Sequence, residues 1–440
     1  MAQGFGRRWL KRLVRSLAWM TLGVVLSWLV SCGGGSGAAN DNTLEFWTMQ
    51  LQPKFTTYFE ELIEEFEGSH PGITVKWLDV PWSAMESKIL TSVSAGTAPD
   101  VVNLNPTFAS KLAERDAWLP LGDRLDTTTQ ESYLDNIWQA AKLEGQSFSL
   151  PWYLTTRLTI FNKELLESAG IEQPPTTYEE LATVAAQVRE KTGKYAFFAT
   201  FVPDDSGEVL ESFVQMGVTL VDDQGQAAFD SPEGKKAFQF WVDLYRNGLL
   251  PKESLTQGHR RAIDLYQAGQ TAILASSPEF MGAIATNAPT VAAVSEAAPQ
   301  VSGDTEKVSA AMMTLVVPKQ TKKPDLATEF AAFVTNSANQ LAFAQAANVL
   351  PSQKDALGTL RDELVLAAEK AKGEENTDSK LVQARLLSAV QLERADVLLP
   401  PIRNIKLLQS VIYENLQAAM LDEKTVDEAI ADAAEAWNQG

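Results

Sequence analysis

Leu44-Glu45-Phe46-Trp47, Ile73 to Leu78, and Pro99-Asp100-Val101-Val102-Asn103-Leu104 are three short apolar or alternating runs separated by two helical patterns. The first pattern places Tyr58, Phe59, Leu62, Ile63 and Phe66 on one face at helical spacing. It turns Glu60, Glu61, Glu64 and Glu65 toward water. Pro71-Gly72 turns the chain into the second run, and a second helix from about Ser83 to Ser94 stops at Gly96. This alternation predicts a largely parallel sheet with helices on both faces.

Working outward, the pattern restarts. Phe148-Ser149-Leu150-Pro151-Trp152-Tyr153 leads through Thr155 and Thr156 into the apolar run Leu158-Thr159-Ile160-Phe161-Asn162. Helices are predicted at about 162–169, 177–191, 206–216, 231–247 and 260–268, and strands at 271–275 and 312–317. Residues 325–346 and 377–437 read as helical, and the Ala-rich stretch 282–300 as a loop with short helical turns. Two α/β lobes joined by several chain crossings is the natural reading. The expected division is 44–153 plus about 275–311 for lobe 1, and 154–274 plus about 312–440 for lobe 2.

The N-terminus reads as an export signal. Arg7, Arg8, Lys11, Arg12 and Arg15 precede an apolar stretch from Leu17 to Val30, which ends at Leu29-Val30-Ser31-Cys32 before a glycine run. Residues 1–31 are therefore expected to be a signal peptide. The lone cysteine, Cys32, heads a flexible tether, 32–43, and resembles the acylated cysteine of a bacterial lipobox. Removing 1–31 takes away five positive charges, so a formal −19 becomes −24. That balance excludes nucleic acid and docking on an anionic lipid surface. One cysteine allows no intrachain disulfide. Two isolated histidines, His70 and His259, give no metal cluster; the first reads as a turn residue, the second as a solvated helix start. No cofactor is expected.

From Leu158 to Leu181 the landmarks are Phe161-Asn162-Lys163, Ala169-Gly170-Ile171, Pro174-Pro175-Thr176-Thr177 and Tyr178-Glu179-Glu180-Leu181. Gly96-Thr97-Ala98-Pro99-Asp100-Val101-Val102, Gly269-Gln270-Thr271-Ala272-Ile273-Leu274, Ala327-Thr328-Glu329-Phe330 and Val349-Leu350-Pro351 accompany them. In order and spacing these resemble the family 1 extracellular solute-binding proteins of ABC importers, across nearly all of the chain beyond the leader. Ser309-Ala310-Ala311 and Asn348 depart from glycines frequent in that family. The resemblance implies a two-lobed α/β periplasmic-binding-protein fold that closes on a small polar solute, a sugar or polyol. It implies delivery to a membrane permease by a monomer held to the bacterial membrane through its lipid anchor, with its body in the periplasm or extracytoplasmic space.

In open α/β sheets ligands lie beyond the carboxyl ends of strands, so strand-end residues are the candidates. Trp82 offers a ring face and an N–H, against ordinary packing as the alternative. Asn103 and Asn105 share a face by the period of two and suit hydroxyls, though Asn105 also suits a helix cap. Trp152, Tyr153, Thr155 and Thr156 sit where the chain passes between lobes. Ser276 and Ser277, followed by Glu279, match family ligand positions or cap a helix; Arg403 matches a cleft arginine of some members or forms a surface ion pair. The loop of Asp204, Asp205 and Glu208 is acidic, where family members often carry tryptophans. Trp47 and Trp241 read as core, and Asp100 as a structural cap. The alternatives are a secreted carbohydrate-active enzyme, for which no paired carboxylates or nucleophile motif stand out, and a binder of an anion such as a phosphodiester.

Overall fold

The computed structural model describes residues 42–440 apart from 114, 144, 204, 304, 375, 400, 401 and 403. The expected leader, Cys32 with most of its tether, Asp204 and Arg403 lie outside the described residues. Residues 42–43 and 72–74 form a small unit, in which the Thr74 amide donates to the Asn42 carbonyl at 2.9 Å. Residues 44–71 and 75–440 form the other, described from here on.

The opening alternation folds as read. β1 (Thr43–Met49), α1 (Thr56–Ser69), β2 (Thr74–Val80), α2 (Trp82–Ala95), β3 (Val101–Leu104) and α3 (Pro106–Ala113) follow in order. β1 and β3 pair in parallel, with Phe46 opposite Val101. Period-two side chains divide between the faces. Trp47, Val102 and Leu104 pack with Met85, Ile89 and Val93 of α2. On the other face Phe46 meets Phe59 of α1 and Phe330 edge-on. Asp100 is structural, as expected: its Oδ2 accepts from the Glu45 amide at 2.9 Å and its Oδ1 from the Thr321 hydroxyl.

The long strand β4 (Ser149–Thr156) belongs to this sheet, whereas β5 (Leu158–Asn162) begins another. Beyond β5 come α4 (Tyr178–Thr192), α5 (Glu208–Gln215), α6 (Pro232–Arg246), α7 (Arg260–Gln267), β6 (Ile273–Ser276), α8 (Glu279–Asn287) and β7 (Ser295–Pro299). β6 and β7 both pair antiparallel with β5. Leu158 and Ile160 enter a core with Tyr266, Leu274 and Ile284, while Phe161 points the other way into the large core around Phe213, Phe238 and Trp241.

β8 (Val308–Val316) then returns to the first sheet, antiparallel to β3 and β4. Helices α9 (Pro324–Val334), α10 (Ser337–Ala347), α11 (Lys354–Lys370) and α12 (Thr377–Gln391) follow, with the short strand β9 (Leu350–Pro351) before α11. β10 (Ala395–Asp396) pairs with β8, and α13 (Ile405–Met420) and α14 (Val426–Gln439) complete the chain. The large sheet runs β9-β4-β8-β3-β1-β2 with β10 beside β8, the small one β6-β5-β7.

One expectation is corrected. The large sheet is mixed rather than mostly parallel, because β8 runs back against β3 on one side and β4 on the other, and the small one is antiparallel, because β6 and β7 both run against β5. Within the stretch 275–311, residues 275–276 and 295–299 pair on the β5 sheet, because β6 and β7 take both edges of β5. By pairing, 308–316, 350–351 and 395–396 join the first sheet. α13 and α14 pack into the Trp241 core.

Candidate functional site

Where β4 gives way to β5, Arg157 is the residue between the two strands. Its guanidinium binds the Glu208 carboxylate and stands 3.5 Å from Glu211 Oε2, both from α5. His259, at the N-terminus of α7, places Nδ1 3.2 Å from Glu208 Oε1, and its backbone amide donates to Asp205 Oδ2 at 2.6 Å. Tyr413 and Gln409 of α13 donate to the Ser206 carbonyl at 2.6 and 2.9 Å, fixing the loop that carries these acids.

Burial alone would push the Glu208 carboxyl up; Arg157 and His259 outweigh it and bring it down to about 2. The Glu208 charge raises His259 above its ordinary value, against the opposing effects of burial and Arg157. Thus the buried Glu208 carboxylate is held ionised by Arg157 and His259, and in turn favours the protonated imidazole.

Beside this cluster opens a cavity of about 300 Å³ lined by Thr155 and Ala311 from β4 and β8, and by Asp205, Ser206, Glu208, His259, Ser276, Ser277, Glu279 and Phe280. A smaller apolar space of about 90 Å³ lies behind Arg157 against Phe197, Phe198 and Trp241. Glu279 extends the electrostatics across to β2 and β4: its charge and that of Asp79 both bear on Tyr153. Asp79 ties the loop after β1 by accepting from the Leu51 and Gln52 amides at 2.9 and 3.0 Å. In that loop Gln50 adopts φ 53 and accepts from the Trp82 amide at 3.2 Å.

Of the expected site residues, Thr155, Ser276 and Ser277 line this cavity. Trp82 is exposed, its ring 5.9 Å from that of Phe108. Tyr153 is half-buried on the same face of β4 as Thr155. The others go elsewhere. Trp152 is fully buried and stacks on Phe343 at 5.0 Å, so it is core. Thr156 is buried and shares a 2.7 Å hydrogen bond with Ser388. Asn103 is buried in the sheet and donates to the Thr314 carbonyl at 3.2 Å. Asn105 caps α3, accepting from the Phe108 amide at 2.7 Å. Trp47 and Trp241 are core, as expected. His70 stacks on Phe66 at the end of α1. His259 is corrected from a solvated helix start to a member of the site, because Glu208 and Asp205 reach it from a distant loop. Arg157, Glu208 and His259 were absent from the expected set; the acidic 204–208 loop was the only signal in the sequence.

Residues 52–341 match the family described as bacterial extracellular solute-binding protein. A provisionally named binding protein of Brucella abortus is 22% identical over 256 residues, covering 58% of this chain and 62% of its own length. The match thus spans about three fifths of that relative. Among solved structures, one from Synechococcus sp. MITs9220, provisionally described as an oligosaccharide periplasmic-binding protein in complex with zinc, is 46% identical. It superposes with a TM-score of 0.85 over 90% of this chain and 98% of its own. The GacH receptor of Streptomyces glaucescens, solved unliganded and with acarbose, is similar in fold, at 22% identity and a TM-score of 0.71 over 90% and 97%.

Proposed function

The chain belongs to the bacterial extracellular solute-binding proteins, and on that premise we propose that it captures a neutral sugar or polyol and delivers it to an ABC permease. The observation that carries this reading is the cavity beside Arg157. Its lining pairs hydroxyls and carboxylates with the ring of Phe280, a set that accepts from and donates to sugar hydroxyls while covering a C–H face. Among the described residues the cavity's one arginine is already held by Glu208 and Glu211, which disfavours a phosphodiester or other anion. The related proteins are binding proteins; a non-catalytic role for this chain is part of the proposal, as are its monomeric state and the lipid anchor at Cys32. Among the described residues no helix is long and apolar enough to cross a membrane.

Calorimetric titration of the purified protein with maltose-series oligosaccharides, mannitol, glycerophosphodiesters and zinc chloride tests the reading. Each matched hydroxyl contributes roughly 0.5–1.5 kcal/mol net, so several together reach about micromolar affinity. Binding of a saccharide or polyol is the expected result; heat from the phosphodiester alone would overturn it. Zinc is included because of the Synechococcus protein's description. Among the described residues no group of three or more His, Cys, Asp or Glu side chains is placed to hold a metal ion, so zinc alone is expected to give no heat.

A further inference from the structure

Glu279 opens α8 at the rim of the cavity, and its Oε2 is buried with no hydrogen-bond partner among the described residues. An orphaned carboxylate oxygen costs about 1–3 kcal/mol or more, so natural folds keep one only where something else satisfies it. Ser277 and the Glu279 backbone amide reach the carboxyl but leave Oε2 without a partner among the described residues. Lys54 from the loop after β1 acts on it through charge alone, Tyr153 of β4 feels its charge together with that of Asp79 on β2, and Arg157, Asp205, Glu208 and His259 line the same cavity. Arg157 and His259 are engaged by Glu208. Ser276 beside it is only 5% exposed and lines the same cavity.

We propose that Glu279 is the carboxyl with which the cavity reads its ligand, accepting hydrogen bonds from the hydroxyls of a saccharide or polyol. The identity of those donors rests on the function proposed above; the incomplete partnering of Glu279 does not. A ligand that supplies donors stabilises the ionised carboxylate, so binding draws the raised Glu279 carboxyl back down and favours release of its proton. Burial raises the Glu279 carboxyl above its ordinary value, and the Ser277 hydrogen bond, its own backbone amide and Lys54 offset this only in part.

The consequence for stability has a definite sign. A carboxyl raised in the folded state takes stability away as pH climbs past its unfolded value, fully so above its folded value. Removing the charge therefore stabilises the free protein near neutrality and does nothing at low pH.

The test is a melting and calorimetry comparison of wild type and Glu279→Gln. Without ligand, the variant is expected to melt a few degrees higher at about pH 7.5 and equally with wild type near pH 4. With whichever saccharide or polyol of the panel binds, it is expected to bind roughly tenfold more weakly. Titrations in two buffers of different ionisation enthalpy are expected to show proton release by wild type and none by the variant. A variant that melts at or below wild type at about pH 7.5, or binds with unchanged affinity, overturns the proposal. If no panel member binds wild type, the sugar reading fails, while the melting pair still decides whether Glu279 is an uncompensated carboxyl.

Discussion

Arg157 carries more of the site than any other single side chain, and little in its neighbourhood of sequence announces it. Its partners Glu208 and Glu211 lie about fifty residues on, and His259 as far again. Arg157→Met leaves two half-buried carboxylates without their cation. The expected loss is about 3–5 kcal/mol of stability, read by urea denaturation. The cluster also has a pH signature. Glu208, lowered to about 2, contributes stability above its unfolded value that is lost as pH falls toward 2. His259, raised by Glu208, contributes stability that is complete below about 6.5 and lost as pH rises through its folded value. A His259→Gln variant is therefore expected to be destabilised more near pH 5 than near pH 9; thermal melts at about those two values decide it. The same scale shows what the sequence could not resolve. β4 is buried on both faces over most of its length and ends in two threonines, so its pattern could not tell the face of Tyr153 and Thr155, which reaches the site at Thr155, from that of Trp152 and Thr156, which does not. Asn103 and Asn105 share no face because β3 ends at Leu104 and Asn105 caps α3.

Elements with local punctuation were legible. α4 starts at Tyr178 because Thr177 and Glu180 form a capping box, and it stops at Gly193, where φ is 70. Thr177→Ala removes one half of that box, and the expected cost is about 1 kcal/mol by denaturant midpoint at unchanged slope. The helical stretch read over 325–346 splits into α9 and α10, where Asn336 leaves the helix and caps the next by accepting from the Asn339 amide at 2.8 Å. α11 was missed: Gly358 interrupts a run whose apolar positions, Ala356, Leu357, Leu360 and Leu364, make only a narrow stripe. The stretch 377–437 is three helices: β10 crosses to the first sheet between α12 and α13, and Thr425 caps α14 after the turn that ends α13.

At the scale of the whole molecule, alternation gave the α/β class, and resemblance gave the two lobes, but the crossings depend on pairings between distant segments. Side-chain amides tie those crossings together. Gln391 donates to the Arg157 carbonyl at 2.7 Å and accepts from the Gln300 amide at 2.9 Å, while Gln300 accepts from the Ser309 amide at 2.9 Å. Farther out, Lys406 of α13 reaches Glu86 of α2 at 2.7 Å, each about a quarter exposed (27% and 25%). This pair links a helix of the Trp241 core to one packed on the first sheet. If it helps hold the lobes closed, Glu86→Gln or Lys406→Gln is expected to weaken ligand about three- to fivefold, and the double variant no more than either alone. Additive losses in a calorimetric double-mutant cycle would show the two residues acting separately.

Native mass spectrometry of the gently purified protein tests the central claim most directly, because it presumes no ligand. The expected result is a retained neutral species whose mass fits a saccharide or polyol and which is displaced by the panel member that binds. A retained phosphorus-bearing anion or a metal ion in its place would contradict it.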